Sequence, residues 1–293
     1  MKAAAISIWL AAIAMTCILG CQSRSDPVIE RSIGFDDIAP AGVTLKQCWN
    51  AMGMDGQERI YIGFTSARSD GRVDGRADGR EDFVVFRYDT STGERRFLGT
   101  FMDASQAAGN LRPAEEIPKG HTRMLEIDGR MYMGSQGFHD LKAAIDTLPS
   151  YRGSHLYAYD LSSEKLQDIS QPLPGGVVTE HQGLIALSHA PGSDLLVGLA
   201  HPSSDIVLFD YKHGRVQQIV PGIPWRLGNP LSREVVVTKK GKIYTYRGTE
   251  DPAQRDKVHR IWAYDLKTNA STETAYTATG GFWNGQTWTS GSC

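Results

Sequence analysis

Short apolar runs alternate with turns along the chain, and one sequence motif, a turn followed by an apolar run, recurs four times. A glycine-containing turn precedes each of four runs, which are Ile60–Phe64, Met131–Ser135, Leu195–Leu199 and Ile243–Tyr246. Glycine allows the positive φ angles that tight hairpin turns require, and a short apolar run suits a buried strand. The pattern therefore predicts a β-strand at each run.

Each repeated unit has a second mark, an aromatic residue directly before an aspartate and a turn. The four aspartates are Asp89, Asp160, Asp210 and Asp265. Apolar residues alternate before each aspartate, as expected of a half-buried strand. We expect every aspartate to accept hydrogen bonds from the backbone of the turn that follows it.

Four units of three or four strands predict an all-β fold, a β-propeller of four-stranded blades. The alternative of a β-sandwich is disfavoured, because β-sandwiches do not repeat one sequence motif along the chain in this way. The alternation of apolar residues with a period of two excludes a helical solenoid. Residues 281–285 echo residues 47–51, which predicts the start of a fifth unit. We therefore expect a fragment of a larger propeller, and the alternative is a closing strand on a small one.

The first two units carry long insertions between the same two strands. The first insertion holds three Asp-Gly-Arg triplets within residues 70–80, and the second includes Leu141–Ile145, for which one or two helical turns are expected. The triplets lack the alternate-position ligands of a calcium loop, so we interpret them as a solvated loop. Loops on one side of a scaffold are common places for function.

The N-terminus predicts export and lipid attachment. An apolar segment, residues 3–15, follows Lys2, and it is short for a membrane span. The sequence Ile-Leu-Gly-Cys at residues 18–21 resembles the lipobox of bacterial lipoproteins, which implies that Cys21 is the lipidated first residue. Gln22 after it implies, by the same resemblance, the outer membrane of the bacterial cell envelope.

This assigns residues 1–20 to a lipoprotein signal peptide, 21–42 to the lipidated cysteine and a flexible tether, and 43–293 to the propeller. In an oxidising compartment Cys48 and Cys293 are free either to form a disulfide or to stay unpaired. The formal net charge of −2 predicts no general attraction to nucleic acid. No C-x-x-C pair, nucleotide-binding loop, G-x-S-x-G or H-E-x-x-H motif occurs, so we expect no metal and no cofactor.

Charged and histidine side chains gather in the second unit, around its apolar strand. His121 precedes the strand and His139 follows it. Histidine can carry a proton near neutral pH, and the alternative is that each ring makes local hydrogen bonds in a loop. Weaker candidates lie elsewhere: His201 follows the third apolar run, and Arg233 opens the fourth unit.

The segment from Lys119 to Asp160 resembles the second-blade region of β-propeller polysaccharide lyases, above all the ulvan lyase-like families. The resemblance rests on Lys-Gly-His at residues 119–121, Asp-Gly with Tyr132 a little later, His139, and a Gly-Ser-His-Leu-Tyr-Ala-Tyr-Asp ending at residues 153–160. It extends more weakly to residues 232–237. It covers about half of the chain after the signal peptide.

The resemblance implies β-elimination at a uronate sugar of an anionic polysaccharide. By carry-over, His121 and His139 are the paired histidines and Arg233 neutralises the substrate carboxylate. The proton-carrying tyrosine of the family corresponds to Val197 here, so Tyr246 or Tyr244 is the substitute candidate. The residues expected to bind substrate are Lys119, Arg123, His155, His201 and Tyr244.

Three functions remain open from the sequence. The first is a surface polysaccharide lyase, the second is a non-catalytic lipoprotein that binds a glycan or a protein, and the third is an envelope scaffold. Both histidines and Arg233 favour the first, and Val197 favours the second. The expected partners are an anionic polysaccharide or oligosaccharide and, through the lipid, a membrane.

Overall fold

The computed structural model describes residues 32–48, 50–68, 81–137, 152–222, 232–247 and 258–279. The chain divides into two units, Met1–Gly34 and Phe35–Cys293. Residues 32–34 of the first unit form no helix or strand. All described strands belong to the second unit.

The described strands form four large antiparallel sheets in chain order and one further two-stranded sheet. The first sheet contains β1 (Val43–Gln47), β2 (Met52–Met54), β3 (Arg59–Arg68), β4 (Glu81–Asp89) and β5 (Arg95–Thr100). Its order is β1-β3-β4-β5, with β2 also beside β3. Helix α1 (Phe101–Ala107) follows it.

The second sheet contains β6 (Lys119–Gly120), β7 (Leu125–Ile127), β8 (Arg130–Gln136), β10 (Leu156–Asp160) and β11 (Lys165–Asp168). Its order is β11-β10-β8-β6, with β7 also beside β8. Two short strands, β9 (Gly153–Ser154) and β12 (Thr179–Glu180), pair with each other.

The third and fourth sheets are regular four-stranded meanders. The third contains β13 (Gly183–His189), β14 (Leu195–His201), β15 (Ile206–Asp210) and β16 (Arg215–Val220). The fourth contains β17 (Val236–Val237), β18 (Lys242–Arg247), β19 (Val258–Asp265) and β20 (Ala270–Thr279). In both sheets each strand pairs with the next in sequence. Short 3-10 turns lie at Asp36–Ile38 and Pro174–Gly176.

Successive sheets pack face to face through separate apolar clusters. Along β10, Tyr157 and Tyr159 belong to the cluster shared with the first sheet, whereas Leu156 and Ala158 belong to the cluster shared with the third. A strand alternates its side chains between two faces, so both faces of the second sheet are buried. Stacked meanders with both faces covered are the blades of a β-propeller, as predicted.

The predicted strands are confirmed. The four apolar runs lie in β3, β8, β14 and β18, and the four aromatic-aspartate marks end β4, β10, β15 and β19. The predicted role of the aspartates is also confirmed: Oδ1 of each accepts a hydrogen bond from backbone N–H groups two or three residues later.

Several predictions fall outside the described residues. These are the signal peptide, Cys21, the Asp-Gly-Arg loop, the helical turns at 141–145, His139, the fifth unit and Cys293. Cys48 is exposed. Within the predicted tether (21–42), the Phe35 ring packs against Phe64 and Phe86 of the first sheet. No helix in the described part of the chain is long and apolar enough to cross a membrane.

Candidate functional site

Four basic side chains from three sheets converge where β8 and β14 end. They are Lys119 on β6, His121 just after it, His201 at the end of β14, and Arg233 before β17; we call them the basic cluster. The charge of Arg233 acts on Lys119, His121 and His201, and that of Lys119 acts on both histidines. The structure thus brings together four of the residues that the sequence analysis assigned to the catalytic or substrate-binding site.

Backbone pairing and a close ring contact hold β6 in place. Lys119 pairs with Gln136 and Gly120 pairs with Ser135 of β8. The Phe83 ring fills the space beside Gly120, where a Cβ atom would lie 2.6 Å from the ring. Only glycine admits such an approach, so this packing fixes the segment that carries Lys119 and His121.

Three of the four residues of the basic cluster are buried, and Arg233 is half-buried. Lys119, His121 and His201 are exposed to only 4%, 5% and 7%. Burial, and then the charge of Arg233, lower the pKa of His121 to about 4. Burial and the neighbouring His121, Arg233 and Lys119 lower the pKa of His201 to about 4. Both imidazoles are therefore neutral at pH 7.

Lys119 keeps most of its charge at pH 7 despite burial. Burial is the main cause that lowers its pKa to about 8; Arg233 lowers it further and the Glu81 carboxylate opposes the change. The cluster therefore combines two cations, Lys119 and Arg233, with two neutral rings that can accept a proton. An anion bound there would relieve the repulsion between the cations and stabilise their charged forms.

Gln136 lies beside the basic cluster and is a residue that sequence reasoning did not single out. Its Nε2 is 3.4 Å from His201 Nδ1. Its Oε1 and the Nε of Arg233 are buried polar atoms with no hydrogen-bond partner among the described residues. A glutamine next to a strand end carries no sequence signal of its own, which explains why it was missed.

The other predicted site residues lie in different surroundings. Arg123 is exposed and pairs with Glu234, with Nη2 3.0 Å from Oε1. Tyr244 and Tyr246 are half-buried on β18, two residues apart and so on the same face of the strand. Val197 is fully buried in the apolar cluster between the third and fourth sheets.

His155, predicted to bind substrate, lies inside a buried polar network at the start of β10. Its Nδ1 is 2.7 Å from Asp168 Oδ2 and its Nε2 is 3.2 Å from Glu115 Oε1. The ring is 1% exposed. Burial opposes the charged ring, but the hydrogen bonds to Asp168 and Glu115 outweigh it and raise the pKa of His155.

Arg152 completes this network. Its Nη2 lies 2.9 Å from Glu115 Oε2, and its Nη1 donates to the carbonyl of Gly175 at 2.8 Å. Asn110 donates to Asp168 Oδ2 at 2.9 Å and to the Gly176 carbonyl. The network ties the segment before β6 to the start of β10, and these contacts account for the burial of His155 without any ligand.

Within the described ranges, no group of three or more His, Cys, Asp and Glu side chains is arranged to hold a metal ion. His139 is outside those ranges, so its predicted pairing with His121 stays a prediction.

No protein-family model matches the chain, and no curated protein matches it. Solved structures do match. An oligogalacturonate lyase in complex with manganese is 12% identical with a TM-score of 0.44, over 81% of this chain and 55% of the lyase. The chain therefore spans about half the length of that protein.

Two further structures match to a similar degree. The hydrazine synthase of Kuenenia stuttgartiensis is 9% identical with a TM-score of 0.43, over 76% of this chain and 65% of that one. The GH74 enzyme of Niastella koreensis is 11% identical with a TM-score of 0.43, over 79% and 30%. At this level of similarity we draw no conclusion about activity from any of the three.

Proposed function

We propose that this chain is a cell-envelope protein whose propeller binds a uronate-containing polysaccharide at the basic cluster and cleaves it by β-elimination. The supporting observation is that the buried Lys119 and the half-buried Arg233 lie beside two imidazoles that are neutral at pH 7. A carboxylate balances the two cations, and a neutral imidazole accepts a proton.

In the proposed reaction, Arg233 and Lys119 bind the uronate carboxylate and stabilise the negative charge that develops next to it. His121 Nδ1 or Nε2 removes the proton from the carbon beside the carboxylate. The freed electron pair forms a carbon–carbon double bond as the glycosidic C–O bond breaks. The leaving oxygen takes a proton, for which Tyr246 on β18 is the proposed donor; His139 is the proposed partner of His121.

We further propose that Cys21 carries the lipid that anchors the protein, at the outer membrane of a bacterial cell envelope. This rests on the apolar segment at residues 3–15 and on the Ile-Leu-Gly-Cys sequence that ends at Cys21. Mass spectrometry of the purified protein tests it. The expected result is a mature N-terminus at Cys21 with an acyl mass added, and an unmodified Met1 would contradict it.

A second candidate function is the binding of an anionic glycan without cleavage. Val197 favours it, because this position corresponds to the proton-carrying tyrosine of the lyases that the sequence resembles, and its fully buried side chain transfers no proton. The same cations would then hold the polysaccharide, and no elimination would follow.

The test is a cleavage assay with the full chain in detergent and a panel of anionic polysaccharides, following ultraviolet absorbance of the unsaturated uronate. We expect absorbance to rise on at least one polymer, and His121→Ala to slow the reaction roughly 10²–10⁴-fold, as expected for loss of a general base. Arg215→Ala is the control, because Arg215 is exposed on β16, away from the cluster.

Two outcomes would contradict the proposal in different ways. No absorbance on any polymer would exclude the lyase, and calorimetry with the same polymers would then test the binder, with Arg233→Met expected to abolish binding. If the His121→Ala protein still cleaves the polymer at the wild-type rate, a residue other than His121 is the catalytic base.

A further inference from the structure

Gln136 is the last residue of β8 and packs tightly against the first residue of β13, so its side chain has little freedom to move. It is 6% exposed. Gly183, the first residue of β13, lies so close to this side chain that a Cβ atom at Gly183 would be 2.4 Å from Gln136 Cγ. Gly183 also pairs with His201 across the sheet. This packing places the Gln136 amide next to the His201 ring.

The contact between the two side chains selects one form of the imidazole. Gln136 Nε2 lies 3.4 Å from His201 Nδ1. With the amide in this orientation its nitrogen donates, so Nδ1 is the unprotonated nitrogen, and a neutral ring then carries its proton on Nε2. Burial together with the surrounding His121, Arg233 and Lys119 keeps His201 neutral at pH 7, with a pKa of about 4.

We infer that Gln136 is a positioning residue, which holds His201 in the neutral tautomer with the proton on Nε2 and so makes it a fixed hydrogen-bond donor in the basic cluster. The tautomer follows from the orientation of the Gln136 amide, with its nitrogen towards His201 Nδ1. Its use, donation to a carboxylate or hydroxyl oxygen of a bound uronate, rests on the proposed function.

A direct test is nitrogen NMR of the full chain in detergent at pH 7, labelled with ¹⁵N in histidine only. The His201 signals are assigned by their loss in His201→Gln. We expect the chemical shift of Nδ1 to be that of an unprotonated ring nitrogen and the shift of Nε2 that of a protonated one. A proton on Nδ1, or a charged ring, would overturn the inference, and this measurement needs no variant of Gln136.

Variants of Gln136 then test whether the amide is the cause. A carboxylate in Gln136→Glu accepts a hydrogen bond from Nδ1–H, so we expect the proton to move to Nδ1 and the pKa of His201 to rise. Gln136→Leu removes the donor, and we expect a mixture of both tautomers. The control is Gln218→Leu on β16, where Gln218 accepts a hydrogen bond from Tyr264 outside the cluster.

The outcomes separate this inference from the proposed function. If the folded Gln136→Glu and Gln136→Leu proteins keep the wild-type His201 spectrum, the inference is wrong, whatever the cleavage assay shows. If the tautomer behaves as expected and no polysaccharide is bound or cleaved, the proposed function is wrong and the positioning role of Gln136 stands. If both hold, Gln136→Glu should bind the uronate polymer at least tenfold more weakly.

Discussion

His155 Nδ1 lies 2.7 Å from Asp168 Oδ2 in the interior between the first and second sheets. Glu115 approaches the other ring nitrogen, and Arg152 contacts Glu115. With His155 protonated, two carboxylates face two cations, and their charges balance. Deprotonation would leave one buried carboxylate without a compensating charge, which is costly away from water.

The first prediction is that the stabilisation contributed by His155 is lost as the pH rises. Burial lowers the pKa of His155, but the carboxylates outweigh it and raise the pKa above its ordinary value. The stabilisation is therefore complete below about pH 6.5, the pKa in an unfolded chain, and disappears as the pH rises through the folded-state pKa. Urea unfolding of the wild type between pH 6 and pH 10 measures it. The difference in stability between the wild type and His155→Asn should shrink as the pH rises, and a difference independent of pH would contradict the prediction.

The second prediction concerns the buried ion pair between Arg152 and Glu115. Arg152→Met leaves the two buried carboxylates with a single cation, His155, so we expect a loss of about 3–5 kcal/mol in the free energy of unfolding. The matched control is Arg123→Ala, which breaks an exposed pair with Glu234. Surface pairs contribute little, and a change below about 1 kcal/mol is expected there. Similar losses in both variants, measured by urea unfolding, would count against the assigned role of the network.

The third prediction tests the packing under the basic cluster. A Cβ atom in Gly120→Ala would lie 2.6 Å from the Phe83 ring, so either the ring or β6 must move. We expect a loss of about 1–3 kcal/mol in the free energy of unfolding, as for other overpacked cores. Gly34→Ala is the control, since a Cβ atom there meets nothing within 4 Å. A Gly120→Ala protein as stable as the control would contradict the prediction, because the Phe83 ring would then move aside without a cost in free energy.

The fourth prediction follows from the pKa of Lys119, which burial lowers to about 8. Lys119 is mostly charged at pH 7 and mostly neutral at pH 9, so affinity for an anionic ligand should fall as the pH rises through this range. Calorimetry with a uronate oligosaccharide measures the change. Lys119→Arg stays charged throughout, and its affinity should be nearly constant. A wild-type affinity independent of pH would remove Lys119 from the binding site.

The candidate site shows where sequence reasoning reaches its limit. Lys119, His121, His201 and Arg233 were each recognised by position relative to a strand, and the structure brings them together. His155 was grouped with them because it is close in sequence. The network that actually surrounds it comes from Glu115, Arg152 and Asp168, and nothing local in the sequence marks those residues as its partners.

The sequence by itself determined the blades of this protein: the apolar runs, the aromatic-aspartate marks and the turns that Asp89, Asp160, Asp210 and Asp265 close. These features depend on neighbours only a few residues away, where strand alternation and turn hydrogen bonds act. Only the tertiary structure decided that Gln136 contacts His201 and that Arg233 lies near Lys119, which the family resemblance had merely implied. Those contacts arise when separate sheets stack and exclude water, and the charges involved interact strongly only after that burial.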